Sequence, residues 1–237
     1  MVPYTGFIEK TNHADSLIEG FPSDLSVMHA FLKKIDCSSG ERDLSDHILL
    51  TLSCSLEAKD LNTKEHSIRV STLSSDFVSF LGFPQQDSED MRKAGILHDI
   101  GKIFLSTSLL LKPDVLTKEE TEEIKRHVVL GEEICKPFVS MRSILPAIRN
   151  HHERWDGRGF PDGLAGEDIP LIARILAIVD SFDAMVSERS YNGSKSVQGV
   201  IETIKSEQYR GQWDPELLGY FLEMMSFRKG RTFISHG

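Results

Sequence analysis

Pro170 opens a stretch so apolar that a helix built from it must be buried on most of its surface, and Asp180 lies inside that stretch. The spacing of apolar residues predicts a helix from Pro170 through Ala184. Ile175, Leu176, Ile178, Val179 and Phe182 flank the carboxylate. An unpaired buried carboxylate is expensive, so Asp180 must be paired, hydrogen-bonded or metal-bound. Any fold of this chain has to bring a partner to that position.

The other long segments also carry helical period, and none shows the alternation of a strand. One helix is expected over Leu44 to Lys59. Asn62 with Glu65 resembles a capping box for the next, which runs to Gly82. Asp87 or Ser88 opens a helix ending near Leu97-His98-Asp99, with Gly101 beyond. Thr117 and Glu120 form a capping box for a helix reaching about Cys135, and another runs from about Ser140 to His152. Ser194 or Ser196 caps the helix after Ala184, and Asp214-Pro215 supplies an N-cap and N1 proline for the last. The expected architecture is all-α without internal repeats. Residues 1–43 read as a short helical lead-in, and 44–237 as the main domain.

Composition narrows the function classes. The net charge of −9 argues against a nucleic acid polymer as partner, because wrapping a phosphate backbone needs a basic face. It leaves room for a small phosphate ligand held by a few local cations. Cys37, Cys54 and Cys135 are far apart and odd in number, so a disulfide framework and a thiolate zinc site are not expected. No run is long and apolar enough for a membrane span, and the N-terminus lacks the order of a signal peptide. The expected location is cytoplasmic.

The chemistry is concentrated in the histidines, of which there are nine. His151-His152 lead into Glu153-Arg154-Trp155-Asp156-Gly157-Arg158-Gly159-Phe160-Pro161-Asp162-Gly163, a loop too rich in helix breakers to continue the helix. His98-Asp99 pair an imidazole with a carboxylate, and Lys102 follows. His66 lies early in its helix, and His127 lies four residues before Gly131. His13, His29, His47 and His236 read as ordinary surface or core histidines. Five imidazoles and two carboxylates suit two six-coordinate metals sharing a bridging carboxylate and a hydroxide. Such a pair lowers the pKa of a shared water and stabilises charge on a phosphoryl group. Ligation by N and O without thiolate fits Fe, Mn, Co or Zn.

The ordered series His66-Ser67-Ile68-Arg69-Val70, His98-Asp99-Ile100-Gly101-Lys102, Leu111-Lys112-Pro113, Lys125-Arg126-His127, His151-His152-Glu153-Arg154-Trp155-Asp156-Gly157, Asp180-Ser181-Phe182-Asp183-Ala184 and Arg189-Ser190-Tyr191 resembles the HD-GYP domain. That branch of the HD phosphohydrolases linearises cyclic dinucleotides. The resemblance runs from about Leu56 to Leu217. It implies an HD-domain helical bundle with a binuclear metal site in the core cleft. By it, His66, His98, Asp99, His127, His151, His152 and Asp180 match metal ligands, with Asp99 bridging. It further implies two divalent ions, Fe or Mn, with Lys102 touching the substrate phosphate and Arg189 on the far side of the ligand. Asp60 is a candidate for a guanine edge, and Gly159 and Phe160 for the wall of the substrate cleft. GGDEF-type or other signalling proteins, and a second copy of the chain, are the partners the resemblance adds.

Three departures stand out. The family's Gly-Tyr-Pro is Gly159-Phe160-Pro161, which keeps the ring and loses the hydroxyl. Asn62 occupies the place of a glutamate that holds a third metal in some members, which favours two metals. Asn192 replaces a cation after Arg189. The expected activity is opening of cyclic di-GMP to linear pGpG, and onward to GMP. The alternatives are cyclic GMP-AMP as substrate, or a weakly active module that works by binding cyclic dinucleotide or a partner.

Overall fold

The computed structural model describes residues 61–191, 197–208 and 211–232. The helix expected over Leu44 to Lys59, Asp60, and the caps Ser194 and Ser196 lie outside the described residues. The α-helices are α1 (Leu61–Phe80), α2 (Gln85–Leu97), α3 (Thr107–Leu110), α4 (Lys118–Lys125), α5 (His127–Cys135), α6 (Leu145–Asn150), α7 (Leu171–Tyr191), α8 (Val197–Gln208) and α9 (Pro215–Thr232). Single 3-10 turns cover Ile100–Phe104, Val139–Met141 and Gly166–Asp168. The described residues hold no strand, only an isolated bridge between Asp156 and Ala165. The chain is all-α, as its periodicity implied.

Helix α7 is the axis of the bundle. It packs against α1, α2, α6, α8 and α9, and its Ile172, Ile175, Leu176, Ile178 and Val179 are buried. The ring of Phe221 on α9 meets Phe77 of α1 and Phe182 of α7 edge-on, each at 5.2 Å between centroids. Helices α1 and α2 lie close together because α1 turns a row of small residues inward, with Ser67, Ser71, Ser74 and Ser75 all buried.

Several boundaries differ from the expected ones, each for a local reason. Helix α2 starts at Gln85 because the Pro84 carbonyl already accepts from Asp87 and Ser88 amides. Asp87 therefore sits in the first turn, where its charge suits the helix dipole, rather than at the cap. Asn62 lies within α1, not at an N-cap. The capping box of Thr117 and Glu120 is present in both directions. Its helix does not run through to Cys135: at Arg126 the amide bonds to the Glu123 carbonyl, and His127 Nδ1 engages the Ile124 carbonyl at 2.7 Å. The segment from Ser140 is likewise broken, since Pro146 at the start of α6 lacks the amide and clashes with a preceding helical turn. The last helix has the expected cap, Asp214 Oδ1 accepting from the Glu216 and Leu217 amides at 2.9 and 3.2 Å.

The 3-10 turn after Asp99 reaches α5 through Gly101. A Cβ there would collide with the His127 carbonyl oxygen and lie 2.6 Å from the Gly131 amide. Gly101 thus sets how closely the Asp99 turn approaches His127. Gly101→Ala is expected to destabilise by at least about 1–3 kcal/mol. Gly219, an exposed helical glycine with nothing within 4 Å of its would-be Cβ, should instead gain about 1 kcal/mol as alanine. Thermal unfolding of the two variants should move in opposite directions.

Candidate metal centre

The residues that sequence reasoning singled out as ligands converge. Asp99, His127, His151 and His152 form one group, and His66, His98 and Asp180 a second, the ligand atoms of each lying within 4.8 Å of one another. His66 comes from α1, His98 caps the end of α2, His127 begins α5, His151 and His152 follow α6, and Asp180 lies on α7. His98, Asp99, His127 and His151 are buried.

The imidazoles are oriented from behind. His98 Nδ1 faces the Gly95 carbonyl at 2.9 Å. His127 Nδ1 faces that of Ile124 at 2.7 Å, and His151 Nδ1 that of Ile148 at 3.0 Å. A carbonyl can only accept, so each Nδ1 carries the proton and each neutral ring turns its Nε2 lone pair inward. The Nε2 atoms of His98, His127 and His151 have no hydrogen-bond partner. Two of them nevertheless approach one carboxylate, His98 Nε2 at 3.3 Å from Asp99 Oδ2 and His127 Nε2 at 3.2 Å from Asp99 Oδ1. Lone pairs and an anion facing one another in a buried site repel unless a cation stands among them. The donor set therefore fits a divalent metal, and with N and O donors alone it suits Fe, Mn, Co or Zn.

His66 is oriented differently. Its Nε2 lies 3.0 Å from Asp180 Oδ1 and its Nδ1 2.7 Å from Asp183 Oδ2. Asp183 is held in turn by Arg69, at 2.7 and 2.9 Å. Neither residue was assigned a role from sequence. The available signal was spacing: Asp183 lies three residues after Asp180 and Arg69 three after His66, so each shares a helix face with its ligand.

Charge follows the same geometry. Burial opposes ionisation of His66, but the hydrogen bonds to Asp180 and Asp183 outweigh it and raise its pKa to about 10. His98 is raised too, against its burial, by the charge on Asp99. Asp99 is buried, yet Lys102 and His98 hold its pKa well below the usual carboxylate range. His151 is depressed by burial and by His152, and His152 is lowered to about 4, chiefly by burial. Lys102 Nζ is 2.6 Å from Asp99 Oδ2, so the lysine expected to meet a phosphate rests on the central carboxylate.

Of the expected substrate contacts, Phe160 lies beside the centre, its ring 4.8 Å from that of His152. Gly159 has a packing role. A Cβ there would strike the Arg154 amide and lie 2.6 Å from the His152 carbonyl oxygen, so the loop folds directly onto the ligand turn. Glu153 Oε1 accepts from the Asp162 and Gly163 amides at 2.7 and 3.0 Å. Arg149 joins Asp162 at 2.8 Å to Glu132 at 2.6 Å. The Arg189 side chain lies outside the described ones.

Comparison with known proteins gives a family. The HD domain profile matches residues 51–217. The chain belongs to the HD-domain family. It is 36% identical over 186 residues to a cyclic di-GMP phosphodiesterase of Thermotoga maritima, covering 77% of this chain and 50% of that protein. It is 30% identical over 227 residues to 3'3'-cGAMP-specific phosphodiesterase 2 of Vibrio cholerae, covering 94% of this chain and 42% of that protein. The chain thus spans about half the length of these curated relatives. Among solved structures, an HDG"Y"P protein from Bdellovibrio bacteriovorus aligns at TM-score 0.58 and 14% identity, over 90% of this chain and 75% of that one, which shows the shared HD fold.

Two outcomes follow from this geometry. Asp183→Asn should weaken metal affinity about 10–100-fold with every ligand intact, read by competition with a chromophoric chelator. In the metal-free protein the protonated His66 stabilises the fold fully below its unfolded value of 6.5. That contribution is lost as pH rises through about 10. Metal entering at pH 8 must therefore expel that proton. Calorimetry in buffers of different ionisation enthalpy should show about one proton fewer released by His66→Gln than by the wild type.

Proposed function

We propose that this HD domain is a metal-dependent phosphodiesterase that opens cyclic dinucleotides, cyclic di-GMP to linear pGpG in the first instance. The observation that carries the reading is the pair of ligand groups joined through Asp99, whose two oxygens face imidazoles from different helices. The names of the Thermotoga and Vibrio relatives support the substrate class. His66, His98 and Asp180 would hold one ion, and His127, His151 and His152 a second, with Asp99 shared between them. Fe or Mn suits the set. Two such ions supply an activated water at neutral pH and draw charge from the phosphoryl oxygens.

The chain's own groups do the rest. Lys102, about a quarter exposed on its side chain at 28%, can turn from Asp99 to a non-bridging phosphate oxygen and neutralise the charge that develops there. Asp183 and the backbone carbonyls of Gly95, Ile124 and Ile148 keep the imidazoles aimed, so no reorganisation is needed when substrate arrives. Phe160 beside His152 closes one wall of the cleft against water. Asp60 and Arg189 remain proposed contacts to the rest of the ligand, on the strength of the sequence match alone. Base preference is a second reading, because the relative that acts on 3'3'-cGAMP aligns with nearly the whole chain. No described helix is long and apolar enough to cross a membrane. A cytoplasmic setting and signalling partners such as GGDEF-type proteins belong to the proposal.

Substituting His98 and Asp99 together by alanine should abolish bound metal and turnover of both cyclic di-GMP and cyclic GMP-AMP, assayed after anaerobic loading with Fe or Mn. Undiminished turnover in that variant would sink the proposal. Tight binding of both ligands by a metal-replete wild type with no linear product would favour a recognition module instead.

A further inference from the structure

A cyclic dinucleotide carries two phosphodiesters, each ionised at neutral pH, and only the one being opened lies over the metal centre. The other brings a second charge to a protein of net charge −9, and in a cleft it needs its own cation. Lys102 does not fill that role, being 2.6 Å from Asp99, and beside Arg189, the other proposed contact, the family's second cation is replaced by Asn192.

On the outer side of His152 stands a lysine that no role above uses. Lys125 ends α4, and its Nζ lies 5.5 Å from the centroid of the Phe160 ring. That ring lies against His152 at 4.8 Å. The order His152, Phe160, Lys125 thus runs from the ligand group to the rim. A cation over an aromatic face is held without spending its hydrogen-bond donors, and Phe160 has no hydroxyl to compete for them. Lys125 also meets Glu122 Oε1 at 2.6 Å, one turn back on the same helix. Glu122 is largely exposed, at 69%, and an exposed pair of this kind is weak and easily exchanged. Arg126, next in sequence and immediately before His127, is exposed.

We propose that Lys125, held over Phe160, takes the second, non-scissile phosphate of the cyclic dinucleotide while the first lies on the histidine and aspartate cluster. This rests on the phosphodiesterase reading and adds a specificity determinant to it: a ligand with two phosphodiesters gains from Lys125, and a ligand with one does not.

The test uses the full chain loaded with metal, as wild type, Lys125→Gln and Lys125→Arg. Lys125→Gln should raise KM for cyclic di-GMP about tenfold with kcat within about twofold, the signature of lost uniform binding. Lys125→Arg should restore most of that loss. GpG, which carries one phosphodiester, serves as a competitive inhibitor, and its Ki should move less than about twofold in the same variants. Metal content and melting temperature report whether Lys125 instead supports the loop. An equal weakening of GpG and cyclic di-GMP, an unchanged KM, or a fall in bound metal each overturns the proposal. If the wild type opens no cyclic dinucleotide, the phosphodiesterase reading fails by itself. The Lys125 contact is then judged by equilibrium binding of cyclic di-GMP, where equal Kd for wild type and Lys125→Gln overturns it.

Discussion

Asp99 presents one carboxylate oxygen to His98 and the other to His127, and both imidazoles have their protons committed to backbone carbonyls on the far side. That arrangement places electron pairs against a buried anion, and it is tolerable only when positive charge is supplied. Lys102 supplies part of it, and a proton on His66 supplies more when no metal is bound. A metal entering this cluster would compete with protons for the same electron pairs. The helices hold the candidate ligands together, where they would otherwise separate. A core carboxylate with several charged neighbours is weak evidence for stability. Here the rings are aimed inward by hydrogen bonds at their backs, and that orientation serves binding.

The helices achieve this by ending or breaking where a ligand is needed. His98 and His151 each follow the last residue of a helix, and His127 begins one just after the interruption at Arg126. An uninterrupted helix would spend the Ile124 carbonyl on the backbone of the next turn. The break leaves it available to His127 Nδ1. Gly101 then lets the Asp99 turn rest directly on the His127 carbonyl. Local irregularity and ligand geometry are one feature.

This explains what could be read from the sequence and what could not. Helical period marks the apolar face of α7, and the Thr117–Glu120 and Asp214–Pro215 caps are local signals, so those elements were legible. The residues of the candidate metal cluster could be picked out because their types recur in a known order, and the fold brings them together. The break at Arg126 has no signature in residue type: Ile124, Lys125 and Arg126 are all good enough helix formers, and the contact of Gly101, 25 residues earlier, with the His127 carbonyl is invisible in the local sequence. Pro146 did carry a signal for the break before α6, which the apolar period of the segment overrode. Asp183 and Arg69 went unassigned because a second carboxylate on a helix face reads as solvated until His66 is placed beside it.

The loop from Glu153 to Gly163 is full of residues that break helices, and composition alone suggests a segment with little order. Its hydrogen bonds say otherwise. Glu153 collects two loop amides, Asp162 is gripped by Arg149 and Asn150, and Asp156 is tied to Arg154 and Arg158. Trp155 and Asp156 amides bond to the Gln212 and Gly211 carbonyls before α9. The conformational entropy that the loop's glycines lose on ordering is thus offset by polar contacts anchored on the turn that carries His151 and His152. The consequence is mechanical. Phe160 cannot shift without pulling on Gly159, and Gly159 has no free space against the His152 carbonyl. Phe160 and His152 are packed through the same turn, so a substitution that shifts the loop is expected to be felt at the candidate metal cluster, unless it acts at a side chain that only rests on the loop from outside, as Lys125 does.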